Sequence, residues 1–336
     1  MNIIIPMAGW GSRLRPHTLT VPKPLVKIAG KSIVQRLVEN LSKSVNEPID
    51  EIAFIIREDF GKEIEQNLID IANNLGTKGL ICYQSEPLGT AHAIMCAKHS
   101  LKGNIIVAFA DTLFKTDFTL DTTADGVIWV SKIDDPSAFG VIKLNEQNII
   151  TDFVEKPKEF VSDLAIIGIY YFKDGAYLRN ELAYLLDNDI KEKGEYQLTS
   201  ALENMKQKGS KFIPGRVDEW LDCGNKNATV HTNTRILEHI KLEEKLIDTS
   251  VSIENSIIIE PCYIGKGSKI TNSIIGPYVS VESNTTISNS QITHSIIQSK
   301  STIDKQIMTN SMIGSNASIM GKSNDFSIGD YNQLII

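Results

Sequence analysis

The chain has 336 residues, 42% of them hydrophobic and 22% charged, which is enough apolar content for a sizeable core and a length that favours two domains over one. A formal charge of -7 excludes a broad basic face for duplex nucleic acid, because that affinity rests on clustered Lys and Arg. Cys82, Cys96, Cys223 and Cys262 show neither a C-x-x-C pair nor a ligand-like spacing to histidine, so a disulfide framework and a zinc site are not expected and a reducing cytoplasm is. The N-terminus lacks a basic stretch followed by an apolar leader, and no run nears the roughly 20 apolar residues of a membrane span, so the protein is expected to be neither exported nor membrane-embedded.

Up to about residue 230, short apolar runs alternate with segments of helical period. Strands are expected at "NIII" near the start, "IAFII" at 52–56, "NIIVAFA" at 104–110, "GVIWV" at 126–130 and "IIGIYYF" at 166–172. Between the first two, "SIVQRLVENLSKSV" places Ile33, Val34, Leu37, Val38 and Leu41 on one helix face, and similar patterns lie near 60–75, 174–189 and 195–208. Such alternation predicts an α/β domain over 1–230, a Rossmann-like, mostly parallel sheet covered by helices. The stretch "NATVHTNTRILEHIKLEEKL" reads as a helical connector over 231–250.

From about 251 to 336 the pattern changes. Ile253, Ile259, Ile264, Ile270, Ile275, Val281, Ile287, Ile292, Ile297, Ile303, Met308, Ile313 and Ile319 follow one another at steps of five or six residues. A six-residue period with one inward aliphatic predicts a parallel β-helix of hexapeptide repeats, three faces to a coil and about four coils in all. Sandwich strands would alternate with period two, and a Ser/Asn-rich linker would hold no register.

The most informative stretch is "IIIPMAGWGSRLRPHTLTVPKPL" at 3–25. A strand runs into Gly9 and Gly11, a loop whose backbone N–H groups suit anionic oxygens, and Arg13, Arg15 and then Lys23 follow. Pro22 and Pro24 deny Lys23 a helix and hold it at the loop mouth. A third glycine is missing for the dinucleotide fingerprint, where Leu14 stands, and the P-loop pattern is absent. Guanidinium and ammonium beside a glycine loop suit a polyphosphate.

These residues resemble the signature loop of the sugar-1-phosphate nucleotidylyltransferases, a family that pairs a nucleotidyl transferase domain with, in its longer members, a C-terminal left-handed β-helix. The resemblance extends downstream. "QSEPLGTAHA" at 84–93 is similar to the family's base segment, which implies base contacts from Gln84 and Gly89; an amide offers both a donor and an acceptor, and glycine admits close approach. "IIVAFADTLF" places Asp111 at a strand end, with Ala110 where the family has glycine, and the resemblance implies a magnesium ligand there. "FGVIKLNEQNIITDFVEKP" implies that Gly140, Glu155 and Lys156 meet the sugar and its phosphate. "WLDCGN" at 220–225 implies Asp222 as the second ligand of Mg²⁺. Two further positions depart from the family: Asp163 stands where asparagine is common, and Ser200 replaces the usual aspartate after Glu195.

The implied reaction is attack by the phosphate of a sugar 1-phosphate on the α-phosphorus of a nucleoside triphosphate, with pyrophosphate leaving. The attacking group is already an anion, so alignment and charge neutralisation suffice. Arg13 is expected on the pyrophosphate, Lys23 at the α-phosphate and Lys156 on the sugar phosphate. The tail "IGDYNQLII" resembles long glucose-1-phosphate thymidylyltransferases, which points to dTTP and glucose 1-phosphate. GTP with mannose 1-phosphate and UTP with an N-acetylhexosamine phosphate are the alternatives. From other classes, a β-helix acyltransferase would need a histidine base, for which the repeats offer His294, and a non-catalytic homologue would have lost the loop cations that are retained here. The β-helix is expected to serve assembly or regulation, and a homo-oligomer is expected.

Overall fold

The computed structural model describes residues 1–116, 120–321 and 327–335. They form two compact units, Met1–Gly9 with Leu37–Trp220, and Trp10–Arg36 with Leu221–Ile336. The division differs from a simple boundary near 230, because the segment after the first strand, cations included, groups with the C-terminal repeats.

In chain order the elements before the repeats begin with β1 (Asn2–Pro6), β2 (Lys27–Ile28), β3 (Lys31–Ser32), α1 (Ile33–Ser44), β4 (Glu51–Ile56), α2 (Lys62–Asn74), β5 (Lys78–Tyr83) and α3 (Thr90–Met95). They continue with β6 (Ile105–Ala108), β7 (Thr112–Lys115), β8 (Gly126–Lys132), β9 (Gly140–Leu144), β10 (Ile150–Glu155) and β11 (Leu164–Phe172). Helices α4 (Gly175–Asp187) and α5 (Leu198–Gln207), strands β12 (Phe212–Arg216) and β13 (Glu219–Asp222), and helix α6 (Lys226–Ile240) complete the set.

The first unit is built on a mixed sheet. β1 pairs in parallel with β4 on one side and β6 on the other, and β5 extends β4 in parallel. Being central, β1 is buried along its whole length, which is why it reads as an unbroken apolar run. Beyond β6 the direction changes: β11 meets β6 and β8 antiparallel, the β9–β10 hairpin joins it, and β12 adds to β8 in parallel. The helical stripe of α1 is fully occluded, with Ile33, Val34, Leu37 and Val38 at 0% exposure. Helix α4 starts where the Asp174 carboxylate accepts from the N–H groups of Ala176 and Tyr177, both at 3.0 Å.

The second unit contains the left-handed β-helix, three parallel sheets of short strands. Ile253, Ile270, Ile287, Ile303 and Ile319 are successive partners on one face. A coil therefore takes 17 residues at first and 16 later, fewer than three full hexads. The corners supply the shortening. Asn255, Asn272, Asn289 and Lys305 recur in one column with φ between 48 and 56°, and Asn284, Lys300 and Asn316 in another with φ between 56 and 61°. Asparagine tolerates this left-handed region better than other non-glycine residues, so the Asn-rich composition is a corner requirement.

Eleven of the thirteen expected aliphatics, from Ile264 to Ile319, are buried. The first two are corrected: Ile253 is 41% and Ile259 43% exposed. On the second face Ile258, not Ile259, is the partner of Ile275 and then Ile292, so Ile259 falls beyond the strand. Ile253 lies in the first coil, with a partner strand on one side alone.

Candidate functional site

On the first unit, the stretch 84–93 is fixed against the stretch 194–198. The Gln84 amide, 8% exposed, lies with Nε2 3.4 Å from Gly89 O and 3.2 Å from His92 Nδ1. Gly89 precedes α3 with φ +117°, and a Cβ there would fall 2.5 Å from Tyr196 O. Ala91 N donates to that same carbonyl and Tyr196 N donates to Leu88 O, both at 2.9 Å. The glycine is thus demanded by backbone packing as well as by conformation, and it keeps the chain ahead of α3 bare.

Asp111 follows β6 at its C-terminal end, where open α/β sheets place their ligands. The turn that carries it is tied to an irregularity in β11: Phe109 N donates to Gly168 O at 2.9 Å and Thr112 Oγ1 to Ile167 O at 2.7 Å. The sheet register shifts there, between Ile166 and Tyr170, and Gly168 has φ +85°. An apolar run with one glycine, "IIGIYY", carried this signal in the sequence.

Gly140, Glu155 and Lys156 do come together. Glu155 is the register partner of Gly140 across the β9–β10 hairpin, and a Cβ on Gly140 would stand 3.1 Å from Glu155 Oε2. Burial raises the Glu155 carboxyl above its ordinary range, against the pull of the Lys156 ammonium and with Glu192 adding to the rise. Lys156 Nζ lies 3.7 Å from Glu155 Oε1, and its backbone adopts φ 43°. Lys193, which the sequence reading missed, donates from Nζ to Glu155 O at 2.9 Å and to Lys156 O at 3.2 Å. Glu195 accepts from Gln197 Nε2 at 3.0 Å, while Asp163 pairs at 2.9 Å with the exposed Lys132.

On the second unit, Gly11 has φ +60° and opens a tight turn over Ser12–Leu14. Its carbonyl accepts from Leu14 N at 3.0 Å and from Thr18 Oγ1 at 2.8 Å. A Cβ on Gly11 would meet Lys23 Cβ at 2.9 Å, so the loop glycine and the lysine stem are packed on one another. Lys23 is buried at the start of a second tight turn, Lys23–Leu25, with Pro22 before it. Arg13 and Arg15 are exposed on either side of Leu14, which anchors their turn at 0% exposure. Gly9, the last residue of the first unit's opening segment, has open space where a Cβ would be.

Asp222 is the last residue of β13 and turns the chain toward α6. Its Oδ1 accepts from Gly224 N at 2.9 Å and its carbonyl from Thr232 Oγ1. Asn225 caps α6 by accepting from Ala228 N at 3.1 Å. Among the described residues there is no group of three or more His, Cys, Asp or Glu side chains placed to hold a metal. His294, the candidate acyl-transfer base, sits at a coil corner with φ 43°, its ring 5.1 Å from that of Tyr278.

A family model described as nucleotidyl transferase matches residues 2–239. The bifunctional protein GlmU of Methanococcus maripaludis is 32% identical over 265 residues, covering 77% of this chain and 60% of that protein. The chain thus spans about 60% of the length of that relative. The glucose-1-phosphate thymidylyltransferase of Streptomyces antibioticus is 28% identical across 100% of this chain and 99% of its own. Among solved structures, a UDP-glucose pyrophosphorylase complexed with UDP-glucose superposes with a TM-score of 0.57 at 21% identity, over 71% of this chain and 98% of that one, a likeness of fold.

Proposed function

The chain belongs to the nucleotidyl transferase family, and on that premise we propose that it condenses dTTP with glucose 1-phosphate and releases pyrophosphate. Transfer of a nucleotidyl group to a sugar 1-phosphate is the family's reaction. The observation that carries the finer reading is the end-to-end match to a Streptomyces relative that bears the name of that activity.

In this reading the phosphate oxygen of glucose 1-phosphate attacks the α-phosphorus of dTTP while the bond to the β,γ-pyrophosphate breaks. No protein group has to take a proton, because the attacking phosphate is already ionised. The chain supplies position and charge. Arg13 draws off the charge that builds on pyrophosphate, and Lys23, its stem held by Gly11, stands for the phosphate under attack. Lys156 receives the sugar phosphate, and the Gly140–Glu155 pair offers backbone and a carboxylate to sugar hydroxyls. Gln84 and Gly89 face the base.

Asp111 and Asp222, the residues that resemble the family's metal ligands, each offer oxygen donors at the end of a strand or just beyond it. Hard carboxylates in small number, with phosphate oxygens and water to complete the shell, fit Mg²⁺. When bound, the ion neutralises triphosphate charge. A cytoplasmic setting, for which the four cysteines free of disulfides speak, and assembly through coil faces belong to the same proposal.

The test is pyrophosphate release from each of dTTP, UTP and GTP with each of glucose 1-phosphate, mannose 1-phosphate and an N-acetylhexosamine 1-phosphate. The dTTP and glucose 1-phosphate pair is expected to exceed the others in kcat/KM by about tenfold or more, the scale of a few differential contacts. A higher value for UTP or GTP overturns the base, and a higher value for another sugar overturns the sugar.

A further inference from the structure

The segment that carries Arg13 and Lys23 is fastened at both ends to the coils of its own unit. Ahead of Lys23, His17 Nε2 lies 2.9 Å from Ser327 Oγ, and a Cβ on Gly329 would stand 2.9 Å from Pro16 Cβ. Thr20 donates to Asp330. Beyond Lys23, the chain passes through its tight turn into the β2–β3 hairpin, with Val26 N donating to Lys23 O at 3.1 Å. The hairpin's turn, Ala29 at φ 48° and Gly30 at φ 86°, has two consecutive residues of positive φ, the geometry of a two-residue hairpin.

That turn rests on the coil. Gly30 N donates to Glu282 Oε1 at 3.0 Å, and Gln298 Nε2 donates to Lys27 O at 3.0 Å. A Cβ on Gly30 would fall 2.4 Å from the Tyr263 ring, so the glycine lies flat on it. Arg36, at 4% exposure, closes the turn from inside by donating from Nε to Ile28 O and from Nη2 to Ala29 O. Glu282 is the unusual member. It is fully buried at 0% exposure, it stands directly after a coil strand, Val279–Val281, and Oε2 has Lys27 Nζ at 3.7 Å. A buried carboxylate is costly, and a coil needs none for its own packing.

We propose that Glu282 is a positioning residue for nucleotidyl transfer: by holding Gly30 N and facing Lys27, it locks the hairpin that fixes the backbone path from Lys23, so that the β-helix shapes the phosphate loop. This rests on the reading of Lys23 and Arg13 as phosphate-binding cations. Glutamine at 282 keeps the oxygen that accepts from Gly30 N and gives up the charge toward Lys27, whereas alanine removes both.

Full-length wild type, Glu282→Ala, Glu282→Gln and Gln298→Ala are compared by hydrogen exchange of the peptides spanning 10–36, with the peptides of the coils and of the first unit as references, and by steady-state kinetics on the best substrate pair. Glu282→Ala is expected to speed exchange over 10–36 with the reference peptides unchanged, and to lower kcat by about tenfold or more, the effect of a small misplacement of an aligning group. The KM for the sugar 1-phosphate stays the same. Glu282→Gln restores most of both. If Glu282→Ala does not fold, Gln298→Ala, at a half-buried position, is expected to give the same pattern at reduced size. Unchanged exchange over 10–36 in folded variants overturns the proposal, as does faster exchange across all coils with kcat intact. A wild type that turns over no substrate pair refutes the functional reading, and the exchange data still decide the anchoring.

Discussion

Gly11 and Lys23 constrain each other: the φ of +60° and the 2.9 Å approach of Lys23 Cβ leave no room for a side chain at 11. Arg13 stands on the turn that Gly11 opens. On the proposed placement of Arg13 against pyrophosphate, Arg13→Ala is expected to lower kcat by about 10²-fold with both substrates saturating, the scale for losing one preorganised charge donor, and unchanged turnover contradicts that role. His17, three residues after the Leu14 anchor, is 3% exposed, and burial holds its imidazole down to about 4, with Lys226 adding to the fall. A base whose folded value lies below its ordinary 6.5 stabilises the fold as the neutral ring. Its contribution is full above pH 6.5 and is lost as pH falls from there toward 4. Between pH 7 and 5 wild type is expected to lose about 2 kcal/mol more unfolding free energy than His17→Gln in parallel denaturant titrations, and equal losses contradict a buried neutral His17. The backbone of the loop was legible in the sequence because its glycine and prolines each answer a conformational requirement. Lys193 was not, since its contacts are to carbonyls 37 and 38 residues away and no local pattern marks them.

The coils show how a repeat can be read and still be misjudged at its edge. The inward isoleucines were visible as a period, but the Ser and Thr positions have a structural use that composition alone conceals. Ser256, Ser273 and Ser290 each donate to the carbonyl two residues back, and each accepts from a backbone N–H of the next coil, that of Ser273, Ser290 and Gln306 respectively, at 3.0 to 3.1 Å. Each hydroxyl thereby satisfies one donor and one acceptor where the chain bends away from its ladder. Ser290→Ala leaves Gln306 N without that acceptor in a buried place, and is expected to cost about 1–3 kcal/mol in chemical denaturation of the full chain. A cost within the ±0.5 kcal/mol usual for surface changes contradicts a structural column. The first coil was misread at Ile253 because an end coil has a partner strand on one side alone, and at Ile259 because Ile258 takes the register position that pairs with Ile275.

At the scale of the molecule, alternating strands and helices foretold an α/β sheet with a repeat domain after it, and that much follows from periods of 2, 3.6 and about 6. The antiparallel pairing of β8 and β11 did not follow, because apolar strands buried on both faces look the same in either direction. Nor did the grouping of Trp10–Arg36 with the repeats, which depends on pairs such as Gly30 with Glu282, 252 residues apart. The expected site residues accordingly lie on both units: Gly9, Gln84, Gly89, Asp111, Gly140, Glu155 and Lys156 on the first, and Gly11, Arg13, Lys23 and Asp222 on the second. The claim common to all of these is nucleotidyl transfer to a sugar 1-phosphate. Its most direct test is phosphorus NMR of the purified full-length chain with Mg²⁺, dTTP and glucose 1-phosphate. The account predicts equal amounts of pyrophosphate and a dTDP-sugar, neither of which forms when either substrate is omitted. Pyrophosphate or phosphate released without the sugar 1-phosphate, or no product from any nucleoside triphosphate and sugar 1-phosphate pair, would contradict it.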